Sequence, residues 1–114
     1  MNRDRPNIGD VLWINLEPVV GHEQGGKYPR PVIVMTPAEH NGPSHRIVGV
    51  PCTTKSKGLA TEIPIESLPK PCVALIDQLT TLDWFERRAE FRGERISEAE
   101  LDAVRRSLKV FLNL

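Results

Sequence analysis

Residues 21–31 read GHEQGGKYPRP, and few short stretches of a small protein carry so many kinds of functional group. An imidazole (His22), a carboxylate (Glu23), a carboxamide (Gln24), a phenol (Tyr28) and two cations (Lys27, Arg30) stand among glycines and prolines. A hairpin can be closed with two residues of Asn-Gly type, so a longer connection holding these groups is a candidate for chemistry. A second polar run, 53–58, adds Thr53, Thr54, Lys55, Ser56 and Lys57 before Gly58. Across 21–58, Lys27, Arg30, Arg46, Lys55 and Lys57 face Glu23 and Glu39: five cations against two carboxylates, a net of +3. Two such loops brought together would draw phosphates. On charge alone, a pair of solvated loops is the plainer reading.

Other chemistries find little support. There is no G-x-S-x-G, no phosphate-binding Walker loop, no H-E-x-x-H and no paired C-x-x-C. His22, His40 and His45 all fall in loops without a matching pattern of cysteines or carboxylates, so no metal site and no cofactor are expected. Cys52 and Cys72 are isolated from each other in sequence and are expected to be reduced thiols of a cytoplasmic protein. With 114 residues the chain has the length of one domain, expected to span 1–114. Formal net charge is zero, so whole-molecule charge gives no argument for a nucleic-acid partner. No apolar run reaches the roughly 18 residues of a membrane span, and MNRDRPNIGD lacks the apolar core of a signal peptide.

The elements that must position these groups are mostly strands. DVLWINL (10–16), VIVMT (32–36), RIVGVPCT (46–53), TEIPI (61–65) and CVALIDQL (72–79) are short and rich in strand formers, and DWFERR (83–88) is a further candidate. VIVMT is a continuous apolar run, which predicts a central strand buried on both faces, and Pro64 predicts an edge strand or a bulge. Turn signals separate them at HNGPS (40–44), KSKG (55–58) and LPKP (68–71), where several of the ten prolines gather. The end of the chain differs. Ser97 and Glu100 have the spacing of a capping box, with Ile96 and Leu101 as its hydrophobic staple. Leu101, Val104, Leu108 and Phe111 recur at helical spacing, predicting a helix over about 98–112. Its arginines are balanced by Glu98, Glu100 and Asp102 and read as a solvated face. The expected fold is mostly β (α+β), a small barrel of short, mainly antiparallel strands with a C-terminal α-helix.

Longer motifs carry more than spacing. Gly9-Asp10-Val11-Leu12-Trp13, then Gly21 to Gly26 (G-H-E-Q-G-G), Arg30-Pro31 entering a strand, Val50 to Gly58 (V-P-C-T-T-K-S-K-G) and Ala74 to Gln78 (A-L-I-D-Q) follow one another in order. Together they resemble the MazF/PemK toxins of type II toxin–antitoxin modules, over roughly residues 7–90. Lys27, Tyr28 and Pro29 separate the second glycine from Arg30-Pro31, two residues more than the usual pattern.

The resemblance implies an SH3-like barrel that forms a homodimer. It implies a metal-independent endoribonuclease that cuts single-stranded RNA, leaving a 2′,3′-cyclic phosphate and a 5′-hydroxyl, and that is inhibited by a cognate antitoxin. The family's catalytic arginine and threonine carry over to Arg30 and Thr53. Arg30 would give its fork of donors to the phosphoryl oxygens. Thr53 would hydrogen-bond a phosphate oxygen or orient the 2′-hydroxyl. Glu23 would either hold Arg30 or accept a proton, and Gln24 would read a base edge or bridge loops. His22 or Tyr28 would stack on an unpaired base, and Lys27, Thr54, Lys55, Ser56 and Lys57 would bind the RNA. The alternatives are a non-nuclease toxin similar to CcdB, which poisons gyrase on the same fold, and an inactive SH3-like interaction module.

Overall fold

A computed structural model describes residues 5–16 and 29–114. In chain order they form β1 (Asp10–Ile14), β2 (Arg30–Val34), α1 (Ala38–Ser44), β3 (Arg46–Thr53), β4 (Glu62–Ile65), β5 (Cys72–Leu75), a 3₁₀ turn (Ile76–Gln78), β6 (Thr80–Asp83), β7 (Glu90–Arg95) and α2 (Glu98–Leu112). The seven strands of the described residues make one antiparallel sheet in the order β4-β5-β3-β2-β1-β7, with β6 on β3. The fold is α+β and mostly strands, as the sequence predicts.

Alternation along the strands gives the sheet two apolar faces. Val11, Ile33, Val50 and Cys52 lie on one face, packed with Leu101, Val104 and Leu108 of α2. Leu12, Ile14, Val32, Val34 and Ile47 lie on the other, with Leu82 and Trp84. Val32, Ile33 and Val34 are fully buried, so β2 is the central strand that its composition predicts. β3 can lie close beside it because residue 49 is glycine: a Cβ there would stand 2.5 Å from Val32 Cγ1.

The helix at the end begins where its capping box predicts. The Ser97 hydroxyl accepts from the Glu100 N–H, and the Glu100 carboxylate accepts from the Ser97 N–H. Ile96 and Leu101 are both buried. β4 carries Pro64 at the edge of the sheet, where a missing N–H removes no ladder bond.

Four expectations are corrected. CVALIDQL is not one strand. Cys52 pairs with Ala74 and Gly49 with Thr80, so the partner strand holds three residues more than an unbroken ladder would need. Those three are the turn Ile76–Gln78, a bulge that joins β5 and β6 along one edge of β3. HNGPS lies within α1 rather than in an open turn. DWFERR is a turn, closed by the Asp83 carboxylate on the Glu86 N–H and by Arg88 at a φ of 52°. The last strand is β7, whose charged sequence EFRGER hides it from a pattern of apolar residues. Finally, Cys52 and Cys72 are free thiols but not isolated in the fold: they are diagonal neighbours across the β3–β5 ladder.

Candidate active site

The β2–β3 pairing sets Val32 opposite Pro51, Ile33 opposite Val50 and Val34 opposite Gly49. Extended outward by two residues, the same register sets Arg30 opposite Thr53. The recorded pairing stops short of them, at two prolines: Pro31 and Pro51 have no N–H to give a ladder. Beyond those prolines lies a cleft of about 700 Å³. Arg30 and Thr53 both line it, with Trp13, Pro31, Thr54, Lys55, Lys70, Arg92 and Glu94 among its other walls.

Each side chain is placed by its element. Arg30 is the first residue of β2 and is exposed. No carboxylate of the described residues pairs with it, so its donor fork is open to an anion. Thr53 ends β3, and its hydroxyl accepts from the Lys55 N–H at 3.1 Å. That turn fixes the oxygen while leaving its hydrogen to be donated. The far wall comes from the β1–β7 pair. Leu12 faces Phe91 and Asp10 faces Arg95, so β7 carries a bulge between them. Gly93 stands in it at a φ of 80°, a conformation that suits glycine. On either side of Gly93, Arg92 stacks over the Trp13 ring at 4.2 Å, and the Glu94 carboxylate accepts from Trp13 Nε1 at 2.7 Å.

The cleft is electropositive although the chain is neutral. Its described walls hold Arg30, Lys55, Lys70 and Arg92 against Glu94, four cations to one carboxylate. Charge concentrated in a concave surface focuses field lines on an anionic ligand.

The structure separates the sequence-predicted residues into three groups. Arg30, Thr53, Thr54 and Lys55 meet in the cleft. Ser56 and Lys57 lie beyond its walls: the Ser56 hydroxyl and the Lys57 N–H both bind the Glu62 carboxylate, at 2.7 and 2.9 Å. His22, Glu23, Gln24, Lys27 and Tyr28 lie outside the described residues. His40 and His45 are away from the cleft, the first beside Ser44 and the second stacked on Phe85. Among the described residues, no three His, Cys, Asp or Glu side chains gather as a metal site would need. Sequence reasoning missed Trp13, Lys70, Arg92 and Glu94 as parts of the cleft. Only Trp13 left a signal, in the strand motif Gly9 to Trp13.

Glu62 is the anchor of the 55–58 loop. The Ser56 hydroxyl, then the Lys57, Gly58 and Leu59 N–H groups, lower its pKa below the ordinary 4.5, against a smaller effect of burial. A carboxylate whose folded pKa is lowered holds its contacts at higher pH and loses them as pH falls through that folded value. In an acid titration followed by NMR, the Lys57 and Gly58 amide resonances are expected to move together, with a midpoint below 4.5. The Glu62→Gln variant should abolish that step, and a midpoint at or above 4.5 would contradict the anchoring.

Known proteins share this architecture. Residues 7–112 match the family described as PemK-like, MazF-like toxin of type II toxin-antitoxin system. The chain is 32% identical over 112 residues to the endoribonuclease toxin MazF of Escherichia coli (strain K12), covering 98% of both chains. It is 31% identical over 109 residues to the Escherichia coli endoribonuclease PemK, covering 91% of this chain and 80% of PemK. A crystal structure of MazF from Deinococcus radiodurans superposes with a TM-score of 0.83 at 35% identity, covering 96% of this chain and 98% of that one. A MazE–MazF structure from the same organism gives a TM-score of 0.82 at 29% identity, covering 96% and 97%. No helix among the described residues is long and apolar enough to cross a membrane.

Proposed function

Because this chain belongs to the PemK-like, MazF-like toxin family of type II toxin–antitoxin systems, we propose that its cleft is where RNA is cut and that Arg30 and Thr53 do the cutting. The protein is an endoribonuclease toxin, held in check by a cognate antitoxin, like the relatives that bear those names. The observation that carries the site is the convergence of Arg30 and Thr53, 23 positions apart in sequence, at the mouth of one basic cleft. The cytoplasm, where RNA and antitoxin are met, is the place of action.

The substrate is single-stranded RNA. Its 2′-hydroxyl attacks the adjacent phosphorus, and the 5′-oxygen leaves. The products are a 2′,3′-cyclic phosphate and a 5′-hydroxyl. Negative charge grows on the phosphoryl oxygens as the bond forms. Arg30 meets that charge with two parallel N–H donors, and because it is part of a strand its position is set before the substrate arrives. It is not the base, since a guanidinium keeps its proton to a pH above about 12. Thr53 donates its hydroxyl hydrogen to a phosphoryl oxygen or steers the 2′-hydroxyl toward phosphorus. Glu23, seven positions before Arg30 in the sequence, is the carboxylate proposed as partner of Arg30 or acceptor of a proton. Lys55 and Lys70 hold the backbone on either side. Trp13, stacked under Arg92 and held by Glu94, gives a flat surface on which an unpaired base can lie. No cofactor or metal takes part, and the acting unit is a homodimer.

The test is direct. End-labelled single-stranded RNA is incubated with the protein in EDTA, and the ends of the fragments are identified. Cutting at a few sites with cyclic-phosphate ends is expected. Linear 3′-phosphates from the first turnover, or no cutting without added metal, would refute this chemistry. Lys70→Ala is expected to weaken RNA binding nearly equally for all sequences and to lower the salt slope, log K against log salt, by about 0.7, the share of one phosphate contact. An unchanged slope would place Lys70 off the RNA path.

A further inference from the structure

The cleft wall contains two thiols that the cutting reaction does not use. Cys52 lies opposite Ala74 in the β3–β5 ladder. Cys72 is two residues from Ala74 on the same strand, so it shares that face and is the diagonal neighbour of Cys52. Both cysteines are free and both line the cleft. Cys52 is fully buried, while Cys72 keeps 8% of its surface open. Thr53 follows Cys52 directly, and Leu68, Pro69 and Lys70 of the same cleft lead into Cys72.

We propose that Cys52 and Cys72 are a modification site: oxidation by a small-molecule disulfide closes a Cys52–Cys72 bridge and turns the cleft from a cutting to a non-cutting form. The effect on cutting rests on the nuclease reading above; the bridge itself does not.

The two thiols have separate parts in the exchange. The neighbouring Cys52 thiol lowers the Cys72 pKa, whereas the Cys72 thiol and then burial raise that of Cys52. Cys72 is therefore the first nucleophile, and it is the thiol that the cleft exposes. Its thiolate attacks R–S–S–R, forms a mixed disulfide and releases one thiolate, which takes up a proton. Cys52 then loses its proton to solvent or the departing thiolate and attacks the Cys72 sulfur. The second small thiol leaves. Two cysteine thiols and one small disulfide give one protein disulfide and two small thiols, with both electrons passing to the small molecule.

Bridging changes the cleft because of where the diagonal lies. Diagonal neighbours on an antiparallel pair stand about 7–8 Å apart, and a disulfide needs Cα atoms within about 6.8 Å. Closing the bond draws the ends of β3 and β5 together by roughly 1 Å. Thr53 is the last residue of β3 and moves with it, away from Arg30, which is paired with Ile14 of β1. Ångström displacements of a reacting group cost up to about a hundredfold in rate.

The experiment uses the whole chain, reduced and then treated with excess glutathione disulfide. The expected product is two hydrogens lighter, with the peptides of Cys52 and Cys72 linked. Its cleavage of single-stranded RNA should be roughly 10- to 100-fold slower and should return with dithiothreitol. Cys72→Ser should form no bridge and keep its rate in oxidant. Amide exchange at Thr53 to Lys55 should quicken on bridging. Only glutathione adducts, or no oxidation, would overturn the proposal, as would a bridge that leaves both cleavage and exchange unchanged. If the reduced protein cuts no RNA, the nuclease reading fails, and mass and amide exchange still decide the bridge.

Discussion

Arg30→Ala lowers the rate of RNA cleavage by roughly 10²- to 10³-fold, the scale of losing one preorganised donor to a developing oxyanion. The loss falls on kcat more than on KM, because Lys55, Lys70 and Arg92 still hold the substrate. Stability changes by no more than about 0.5 kcal/mol, as for other exposed positions away from a special contact. Arg30→Lys restores the charge but not the fork, and recovers only part of the rate. The pH profile separates the roles. If Arg30 acts only as a cation, the slope of log kcat against pH is the same in Arg30→Lys as in the parent protein. Single-turnover cleavage of a short RNA measures all of this. A variant that cuts at the parent rate would show that another arginine, or the loop before Pro29, supplies the donor.

The second large effect is structural. Asn41 is fully buried in α1, and its side chain joins three segments. Its Nδ2 donates to the Pro6 and Thr36 carbonyls, both at 2.7 Å, and its Oδ1 accepts from the Thr36 hydroxyl at 2.7 Å. Thr36 Oγ1 in turn accepts from the Val48 N–H, and Trp84 Nε1 donates to the Asn41 carbonyl. Asn41→Leu keeps the volume and strands the partners. Each orphaned buried group costs about 1–3 kcal/mol, so a loss of about 3–5 kcal/mol is expected. That is a large part of the roughly 5–15 kcal/mol that holds such a domain together. Thermal unfolding by circular dichroism should show Tm lower by 10 °C or more, on the order of the shift per kcal/mol for a domain of this size. A loss below about 1 kcal/mol would mean that the segments are held by apolar packing instead.

What was legible in the sequence is what local chemistry decides. Ser97 and Glu100 mark a helix start because both ends of the capping box lie within four residues. Pro64 narrows its strand to an edge or a bulge because a missing donor is tolerated there, and the apolar run at 32–34 marks the centre of the sheet. The hidden parts depend on register. Nothing near Arg92 says that a bulge at Gly93 will aim it at Trp13, 79 positions earlier. Nothing near Cys72 says that its neighbour is Cys52, because that follows from which residue of β3 faces Ala74. β7 escaped notice because an edge strand over a solvated rim has little need of apolar residues. α1 escaped because Gly42 and Pro43 look like a turn, and the buried Asn41 that justifies the helix finds its partners far away in sequence. Arg30 and Thr53 were singled out through long motifs, and only the β2–β3 register explains why those two motifs line one cleft.

The Glu100 carboxylate does more than cap a helix. Besides the Ser97 N–H it accepts from the Glu66 N–H at 2.6 Å, the Ser67 N–H at 3.2 Å and the Ser67 hydroxyl. The start of α2 is thus tied to the loop that carries Leu68, Pro69 and Lys70 along the cleft, while Leu101, Val104 and Leu108 pack in the cluster that holds Leu68, Cys52 and Cys72. This has a consequence for synthesis on the ribosome. Arg30 and Thr53 emerge from the exit tunnel long before Glu100, yet the surface beneath them stays unsupported until α2 arrives. The cleft is therefore expected to be complete only after the helix has docked, and a chain released before Ser97 should cut no RNA.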